Sequence, residues 1–564
     1  MSLEWFSNEL FLEIFEYLST VDLLRSFSSL NVRLTNLLAF HLQTYPCSFQ
    51  SSSKYHFDLI CQHDLPSLFD RISSLRLSDH AHTPNQIDRF FSFGFSFRQF
   101  HHLTSLSLGE ISSFNCWKTI LMDIPHLSQL THLSLSRYVI LFNEDYDIHM
   151  IDCLNRLSKL LSCHLDITHD SVHGFSTPAI HSSSLKYLSL PYLECTVSQF
   201  FTLIAHIPNL QWIKGRISDS SKISPPTLTS RSYPSIKTLK LTFEGSFIAI
   251  NHLLSSIPNL ETFQIHMPSS YIDGYQWCEL IDNHLSKLKI FQLKMLTYIK
   301  SRKTREEEIE IILQSFRSPF WFEEHHWFIQ CYYSTLPISS MVYVYTLPCS
   351  FPDLYYLDDA QVKSTSSINH SFVRVHNLYF TSALSTRGSP IHLNEIRCLH
   401  MNISFDDFLR SMVGKFDRLE TLQIDLTDQI NETTISIIQT LLDQMKHLRS
   451  FGLTSWIEGN LFPIQLKHPF IRQLDLRQLT VSYADQCSEQ LTQSSIVQQC
   501  QILSLRMHQP IDILSLIHRL ENLQSLTIKC HNCQTLTTIA EFLQRNSFSP
   551  SILPHTDEIR LWLR

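Results

Sequence analysis

The stretch LTSLSL at 103–108 returns as LTHLSL at 130–135, and both follow the pattern Leu-x-x-Leu-x-Leu. Neighbouring copies of this pattern are about 25 residues apart, or close to a multiple of that interval. With conservative swaps, the copies begin at Leu103, Leu130, Leu185, Ile236, Leu260, Leu288, Ile396, Leu419, Leu448, Ile471 and Leu523. A phrase that returns at this interval indicates one structural unit repeated along the chain.

Helical segments lie between the copies. Apolar residues recur at helical spacing in 197–207, 247–257 and 435–445. Three helical segments end in nearly the same word, which is Ile-Pro-His-Leu at 124–127 and Ile-Pro-Asn-Leu at 207–210 and 257–260. Proline stops a helix because it has no N–H to donate and clashes with the preceding turn. The repeated unit is therefore expected to be a strand followed by a helix.

Strand-plus-helix units of this length are typical of leucine-rich repeats. The sequence thus predicts an α/β fold: a leucine-rich-repeat horseshoe, or solenoid, with a parallel inner sheet and outer helices, preceded by a small N-terminal three-helix region. Each unit of a solenoid stacks only on its neighbours, and the stack presents one long concave face to a partner.

Residues 1–45 do not fit the repeat and are expected to form three short helices. Ser7, Thr20 and Asn31 can cap them, because their side chains can accept the free N–H groups of a first helical turn. The first helix carries apolar residues on several faces, which a three-helix piece of this size cannot bury by itself. One face is expected to pack inward, and another to meet a partner protein or the adjoining solenoid.

These patterns divide the chain into five parts. The rhythm breaks between 301 and 395, where the aromatic block FWFEEHHWF stands at 320–328. The expected parts are the three-helix region at 1–45, a linker or poorly formed first unit at 46–70, a first run of repeats at 71–300, degenerate repeats or an insertion at 301–395, and a second run of repeats at 396–564.

Composition argues against several classes of protein. The chain has 564 residues and a net charge of −8, whereas nucleic-acid binding normally requires a strongly basic face. Its 10 glycines form none of the glycine-rich loops that hold phosphate groups. Its 14 cysteines are scattered singly, which favours reduced thiols in the cytoplasm, the nucleus or both. Neither a signal peptide nor a membrane span is expected from the hydropathy pattern, and no membrane partner is expected.

Two local patterns could carry chemistry but favour a structural interpretation. Cys530 and Cys533 have Cys-x-x-Cys spacing, yet a zinc site needs a second pair at matching spacing. His325 and His326 stand beside two glutamates without the spacing that puts two histidines on one helix face. The sequence predicts no catalytic residues, no metal and no cofactor, and a protein that is not an enzyme. An enzyme with its active site in 301–395 is the rival hypothesis.

Three words near the N-terminus occur in a familiar order: FSNEL at 6–10, IFEYL at 14–18 and DLLR at 22–25. With this order and spacing, the first 40 residues resemble an F-box. Because an F-box followed by leucine-rich repeats is a recurrent architecture, the whole chain resembles the F-box/leucine-rich-repeat protein family. In that family the F-box binds the adaptor of an SCF-type cullin–RING ubiquitin ligase, and the repeats bind the target protein.

The resemblance implies a non-catalytic substrate receptor for ubiquitin-dependent degradation. Carried over onto this sequence, the adaptor-binding residues would be Phe6, Ser7, Leu10, Ile14, Phe15, Leu23 and Leu24. The alternative is a leucine-rich-repeat scaffold that binds proteins without any link to ubiquitin, with the N-terminal helices as a solenoid cap. A cap would pack its apolar face on the strand at 72–77, whereas an F-box would keep that face free.

The expected target-binding positions follow from strand geometry. Side chains alternate along a strand, so the positions between and just after the two leucines of Leu-x-Leu face solvent. Among the polar and charged residues at these positions in the second run of repeats, the selected candidates are His400, Gln423, Asp425, Asp475, Arg477, Arg506 and Lys529. They are the candidate contacts for an unidentified target protein.

Overall fold

A computed structural model describes residues 5–28, 30–50, 52–137, 144–166, 180–219, 231–299, 304–334, 340–356, 360–366, 375–380, 395–403, 418–426, 429–455, 462–479, 490–507, 511–553 and 556–563. Within them the α-helices are Asn8–Glu16 (α1), Thr20–Phe27 (α2), Val32–Thr44 (α3), Lys54–Leu59 (α4), Leu65–Leu68 (α5), Gln86–Ser92 (α6), Phe114–Asp123 (α7), Glu144–Asn155 (α8), Val197–Ile204 (α9), Phe247–Ser255 (α10), Gly274–His284 (α11), Arg305–Ser315 (α12), Glu432–Gln444 (α13), Ser495–Gln499 (α14), Ile511–Arg519 (α15) and Cys533–Arg545 (α16).

The strands are Cys47–Ser48 (β1), Ser74–Ser78 (β2), Ser105–Ile111 (β3), His132–Arg137 (β4), Ser162–Asp166 (β5), Tyr187–Cys195 (β6), Trp212–Asp219 (β7), Thr238–Gly245 (β8), Thr262–Met267 (β9), Ile290–Tyr298 (β10), Phe328–Ser334 (β11), Met341–Leu347 (β12), Asp353–Tyr356 (β13), Ala360–Ser364 (β14), Asn377–Phe380 (β15), Cys398–Ile403 (β16), Thr421–Leu426 (β17), Ser450–Ser455 (β18), Gln473–Leu479 (β19), Ile502–Arg506 (β20), Ser525–Lys529 (β21), Ser551–Leu553 (β22) and Glu558–Trp562 (β23). Strands and helices alternate along much of the chain, and most strand pairs are parallel. The predicted α/β class with repeating, parallel-rich units is confirmed.

The chain forms two compact units. The first comprises Met1–Leu193, Phe201–Leu210 and Leu523–Arg564, and the second comprises Glu194–Phe200 and Gln211–Asn522. In the first unit, β1 to β6 pair in parallel and in chain order. The segment 46–70, for which the sequence left two interpretations open, contributes β1, which pairs with β2.

The leucines of the repeated phrase form the core of the first unit. Strand register places Leu75, Leu106, Leu133, Cys163 and Leu188 side by side on neighbouring strands, and all five are buried. Removing a leucine side chain from water contributes about 1.5–3 kcal/mol. Because the phrase occurs once in each repeat, each of these strands adds a similar contribution to the stability of the fold.

Side-chain hydrogen bonds connect the turns that precede neighbouring strands. The Thr104 hydroxyl donates to the Ser73 carbonyl oxygen at 3.0 Å, and the Thr131 hydroxyl donates to the Thr104 carbonyl oxygen at 2.9 Å. In the second unit, the Asn259 side-chain amide donates to the Pro234 carbonyl oxygen at 2.9 Å. The asparagine of the Ile-Pro-Asn-Leu word therefore forms a hydrogen bond from one repeat to the repeat before it.

Capping residues start the helices after the strands, because their side-chain oxygens accept an N–H of the first turn. In each of these caps the donor is the N–H three residues further on, and the caps are Ser113, Ser246, Asp273, Asn431 and Asn532. The helices also end as the sequence predicts, since α10 stops at Ser255 just before the Ile-Pro-Asn-Leu word at 257–260.

The second unit contains both parallel and antiparallel strands. Strands β7 to β10 pair in parallel, and β13 is followed by β15 to β20 in a second parallel run. Between these runs, β12 pairs antiparallel with β10, β11 with β12, and β14 with β11. These antiparallel strands lie in the range 301–395, where the repeated phrase is missing, and parts of that range lie outside the described residues.

The C-terminal strands pack on the first repeats within the first unit. Strand β23 pairs antiparallel with β21 on one side and with β22 on the other. The Arg560 guanidinium donates to the Asp79 carbonyl oxygen at 3.1 Å and pairs with Glu110 at 3.0 Å. The ring centroids of Phe57 and Trp562 are 5.4 Å apart. The repeat pattern gives no indication of this contact between distant parts of the sequence.

In the part of the chain that the structure describes, none of the helices is long and apolar enough to cross a membrane.

Candidate protein-binding surfaces

The N-terminal helices form a small bundle around aromatic side chains. The Ser7 and Asn31 side chains cap α1 and α3, as the sequence predicts. The cap of α2 is Ser19 and not Thr20, because Thr20 is already the first helical residue. Inside the bundle, the ring centroids of Phe15 and Phe27 are 5.0 Å apart.

The predicted adaptor-binding residues do not share one environment. Phe6 and Leu10 are 41% and 46% exposed, Ser7 is exposed and Ile14 is half-buried. The other three, which are Phe15, Leu23 and Leu24, are buried. The prediction that these three contact a partner has to be corrected, because packing of the helices removes them from the surface.

The accessible apolar residues form a stripe along α1 and its end. Leu10, Ile14 and Leu18 are spaced by four residues and therefore lie on one side of the helix. Phe6 precedes them, and its ring centroid is 6.1 Å from that of Phe11 in the bundle core. We call Phe6, Leu10, Ile14 and Leu18 the α1 stripe.

Helix α1 is held in place by Arg33 of α3. The Arg33 Nε donates to Asn8 Oδ1 at 2.8 Å, and its Nη2 donates to the Phe6 carbonyl oxygen at 2.6 Å. The guanidinium also lies 5.7 Å from the centroid of the Phe11 ring. These contacts fix the position at which the α1 stripe begins.

A different side of the bundle attaches to the first strands. The Ser48 N–H donates to Thr20 Oγ1 at 3.0 Å, and the Ser73 hydroxyl donates to the Gln43 carbonyl oxygen at 2.7 Å. Helices α2 and α3 therefore cover the beginning of the sheet, as a cap would. The α1 stripe lies outside these contacts, and Phe6, Leu10 and Leu18 in it remain exposed.

A row of side chains crosses the solvent-facing side of the sheet in the second unit. Strand register aligns Tyr355, Tyr379, His400, Gln423 and Gly452 on neighbouring parallel strands. Their spacing follows the distance between strands, which lets neighbouring side chains stack. We call this set the β13–β18 row.

The first part of the β13–β18 row consists of stacked rings. The centroids of Tyr355 and Tyr379 are 4.9 Å apart at an interplanar angle of 18°, and those of Tyr379 and His400 are 4.8 Å apart at 26°. Burial lowers the pKa of His400, and the neighbouring Asp425 carboxylate opposes this shift. At neutral pH the His400 imidazole in this row is therefore mainly uncharged.

The second part of the row is polar. Gly452 leaves room for the Gln423 carboxamide, whose Nε2 donates to Thr454 Oγ1 at 2.7 Å. A Cβ on Gly452 would come within 2.7 Å of Gln423 Cδ. On the next strand, Asp475 Oδ2 accepts a hydrogen bond from Arg477 Nη2 at 2.7 Å. Asp475 and Arg477 thus largely neutralise each other.

The structure brings together five of the seven predicted target-binding residues. His400, Gln423, Asp425, Asp475 and Arg477 lie on β16, β17 and β19, on the same side of the sheet, and all are half-buried. Arg506 is at the end of β20 in the same unit. Lys529 is at the end of β21 and belongs to the first unit.

Sequence reasoning missed Tyr355 and Tyr379, because β13 and β15 lie in the range without the repeated phrase. A weak signal was present, since Leu354-Tyr355 and Leu378-Tyr379 both place a ring directly after a buried leucine. Comparing these two pairs with the Leu399-His400 pair could have revealed the row.

A cationic group on β10, which belongs to the other sheet, contacts the start of β13. Lys294 is almost completely buried, and its Nζ donates to the Asp353 carbonyl oxygen at 2.9 Å. Burial lowers the pKa of Lys294. Burial, followed by the charge of Lys294, lowers the pKa of His266 to about 4. Lys294 is also 5.7 Å from the Phe351 ring centroid, so the amine serves to hold this loop.

The two local patterns that could carry chemistry have structural surroundings. The His325 ring stacks on Trp327 with centroids 4.1 Å apart, within an aromatic cluster that includes Phe320. Cys530 directly follows β21 in the chain and is buried, whereas Cys533 is exposed at the start of α16. Among the described residues, no group of three or more His, Cys, Asp or Glu side chains is arranged to hold a metal ion.

The chain was compared with known families, curated proteins and solved structures. No family model matches the chain, and no curated protein matches it. Among solved structures, the chain is similar to a leucine-rich-repeat protein of Leptospira interrogans, with 13% sequence identity, coverage of 91% of this chain and 97% of that one, and a TM-score of 0.22. Identity and TM-score at this level give no basis for transferring a function.

Proposed function

We propose that the protein is a non-catalytic substrate-recognition subunit of an SCF-type cullin–RING ubiquitin ligase. In this role the N-terminal helices bind the adaptor and the repeats bind the target protein. The observation that supports it best is the accessible α1 stripe, which stands where the sequence resembles an F-box. Apolar residues in a stripe on a packed bundle favour burial against another protein.

The attachment of the bundle supports the same role. A substrate receptor needs its adaptor-binding helices joined firmly to its first repeats. The hydrogen bonds from Ser48 to Thr20 and from Ser73 to Gln43 connect the bundle to the first strands. Arg33 in turn fixes the start of α1. Adaptor contacts would therefore be carried by Phe6, Leu10 and Ile14.

The proposed target site is the β13–β18 row with its neighbours Asp425 and Asp475. Tyrosine is enriched in protein interfaces because its ring is large and rigid and its hydroxyl can form a hydrogen bond. Tyr355, Tyr379 and His400 stack on neighbouring strands and form a continuous aromatic ridge that a partner protein could contact. The role requires no catalytic centre, cofactor or metal in this chain, and it places the protein in the cytoplasm or nucleus.

A second candidate function is a protein-binding scaffold without any link to ubiquitin. The same hydrogen bonds of Thr20 and Ser73 favour it, because they let α2 and α3 cover the end of the sheet as a terminal cap does. In that case the β13–β18 row would still bind a partner, and the α1 stripe would bind no adaptor.

Capture of the full chain from cells, read by mass spectrometry, separates the two functions. Leu10→Asp places a charge in the α1 stripe and is expected to abolish capture of the adaptor and the cullin. Ile248→Asp is the matched control, because Ile248 is an exposed apolar residue on α10. Capture by the wild type and by the control, but not by Leu10→Asp, supports the ligase role. Absence of adaptor and cullin from the wild-type capture refutes it and leaves the scaffold.

A further inference from the structure

A groove of about 610 Å³ lies between α7 and α8 in the first unit. Residues of α7, α8 and the segment before β3 line it, among them Arg98, Lys118, Met122, Asp152 and Arg156. The volume falls within the range of pockets that bind ligands or peptide side chains. Neither the α1 stripe nor the β13–β18 row contributes to it.

Helix periodicity forms the two walls of the groove. Lys118, Leu121, Met122 and Pro125 follow the spacing i, i+3, i+4, i+7, which places them on one side of α7 and its end. His149, Asp152, Cys153 and Arg156 follow the same spacing along α8. Both sets line the same groove, so these two sides of α7 and α8 face each other.

The floor of the groove is apolar, and a hydrogen bond across it joins α8 to α7. Leu121 and Cys153 are buried, and the Cys153 thiol donates to the Leu121 carbonyl oxygen at 3.1 Å. Met122 remains 55% exposed although it stands beside this floor. A long apolar side chain left uncovered in a concave surface is suited to contact an apolar group of a partner.

The rim of the groove is positive on a chain whose net charge is −8. In the described part of the chain, neither the Lys118 nor the Arg156 side chain forms a hydrogen bond or ion pair. Arg98 is different, because its Nε bonds Asp123 Oδ1 at 2.8 Å and its Nη2 donates to the Met122 carbonyl oxygen at 2.9 Å. Asp152 offsets one positive charge, so the rim stays cationic.

We propose that this groove binds an acidic segment of a partner protein, with an apolar anchor residue of that segment placed against Met122 and Leu121. The carboxylates of the segment pair with Lys118 and Arg156. Peptide grooves of this type combine a hydrophobic floor, which gives affinity, with charges that select the partner. The site is independent of the proposed ligase role and would serve a scaffold equally well.

Fluorescence anisotropy with the purified full chain tests the proposal. The probe is a fluorescein-labelled decapeptide of glutamates around one Leu-Phe pair, compared with an all-glutamate peptide and with a lysine version of the probe. Wild type is expected to bind the probe saturably and at least tenfold more tightly than either comparison peptide. Combined Lys118→Glu and Arg156→Glu substitutions are expected to weaken binding about tenfold or more.

Charge-matched controls complete the test. Lys186→Glu combined with Lys446→Glu makes the same change in net charge at exposed positions outside the groove, and should leave binding within about twofold of wild type. Met122→Asp should weaken the Leu-Phe probe and leave the all-glutamate peptide nearly unaffected. Equal weakening by the two double variants would attribute binding to overall charge and overturn the proposal. Equal binding of the probe and the all-glutamate peptide would refute the proposed contact of an apolar anchor with Met122 and Leu121. Absence of saturable binding would refute the proposal that the groove binds an acidic segment.

Discussion

Gly274→Ala is expected to destabilise the second unit, because α11 begins in direct contact with the end of α12. The Gly274 N–H donates to Ser315 Oγ at 2.9 Å, and Trp321 Nε1 donates to the Gly274 carbonyl oxygen at 3.3 Å. A Cβ on Gly274 would lie 2.5 Å from the Ser315 carbonyl carbon and 2.8 Å from Phe316 Cγ. It would be closer still to the Ser315 carbonyl oxygen, and a change of rotamer cannot move a backbone atom away.

The magnitude follows from the displacement that the methyl group requires. Carbon atoms in ordinary contact are ~3.5–4.0 Å apart, so α11 and α12 would have to separate by about 1 Å. Overpacking of a dense interior costs about 1–3 kcal/mol, and each weakened buried hydrogen bond adds about 1 kcal/mol. Alanine recovers up to ~1 kcal/mol through its higher helix propensity. With both hydrogen bonds weakened, the expected net loss in the free energy of unfolding is about 2–4 kcal/mol.

Urea unfolding followed by tryptophan fluorescence measures this loss, since Trp277 and Trp321 lie in the affected cluster. Gly215→Ala is the matched control, because a Cβ on Gly215 would have its nearest neighbour, Leu241 Cδ2, at 3.9 Å. That substitution is expected to change stability by less than about 1 kcal/mol. Equal unfolding midpoints for Gly274→Ala and Gly215→Ala would refute the reasoning.

Two further predictions concern the first unit. Burial raises the pKa of Asp79 to about 7, so its proton stabilises the folded state fully below about pH 4, and this stabilisation is lost as the pH rises through about 7. Asp79→Asn should therefore flatten the decline in unfolding free energy between these pH values, as measured by urea titrations at several pH values; an unchanged slope would contradict it. Arg560→Met removes the bonds to the Asp79 carbonyl oxygen and Glu110, and should cost about 1–2 kcal/mol and speed proteolysis of the last strands. Arg545→Met, at an exposed surface pair, should have no such effect, and equal cleavage rates of the two variants would count against the role of Arg560.

The N-terminal helices show which structural features a local sequence pattern can predict. Ser7 and Asn31 cap α1 and α3 as predicted, whereas Ser19 and not Thr20 caps α2. The sequence patterns in 1–45 thus predicted the three helices and two of their three caps. They could not separate accessible residues such as Leu10 from buried ones such as Leu23, because that depends on which faces of three helices meet. A helical stripe shows that residues share a side, but the partner of that side is decided by the packing of the whole bundle.

The β13–β18 row illustrates the same limit in the sheet. The register of Leu-x-Leu gave His400 and Gln423 correctly as neighbouring positions on the solvent-facing side. The two tyrosines escaped notice because their strands have no repeated phrase, and only their parallel pairing aligns them with His400. The role of Gly452 was equally hidden, since a glycine gives no hydropathy signal and its neighbour Gln423 is distant in sequence.

By itself the sequence determined the repeated strand-helix unit, the buried leucines and the positions at which helices stop, because each depends on residues within one turn or one strand of each other. Only the tertiary structure decided the antiparallel strands between 301 and 395, the contact of Arg560 with Asp79 and Glu110, and the groove between α7 and α8. These features join residues from separate elements, and in the case of Arg560 from opposite ends of the chain. Their geometry follows from the packing of complete elements, which a local sequence pattern does not encode.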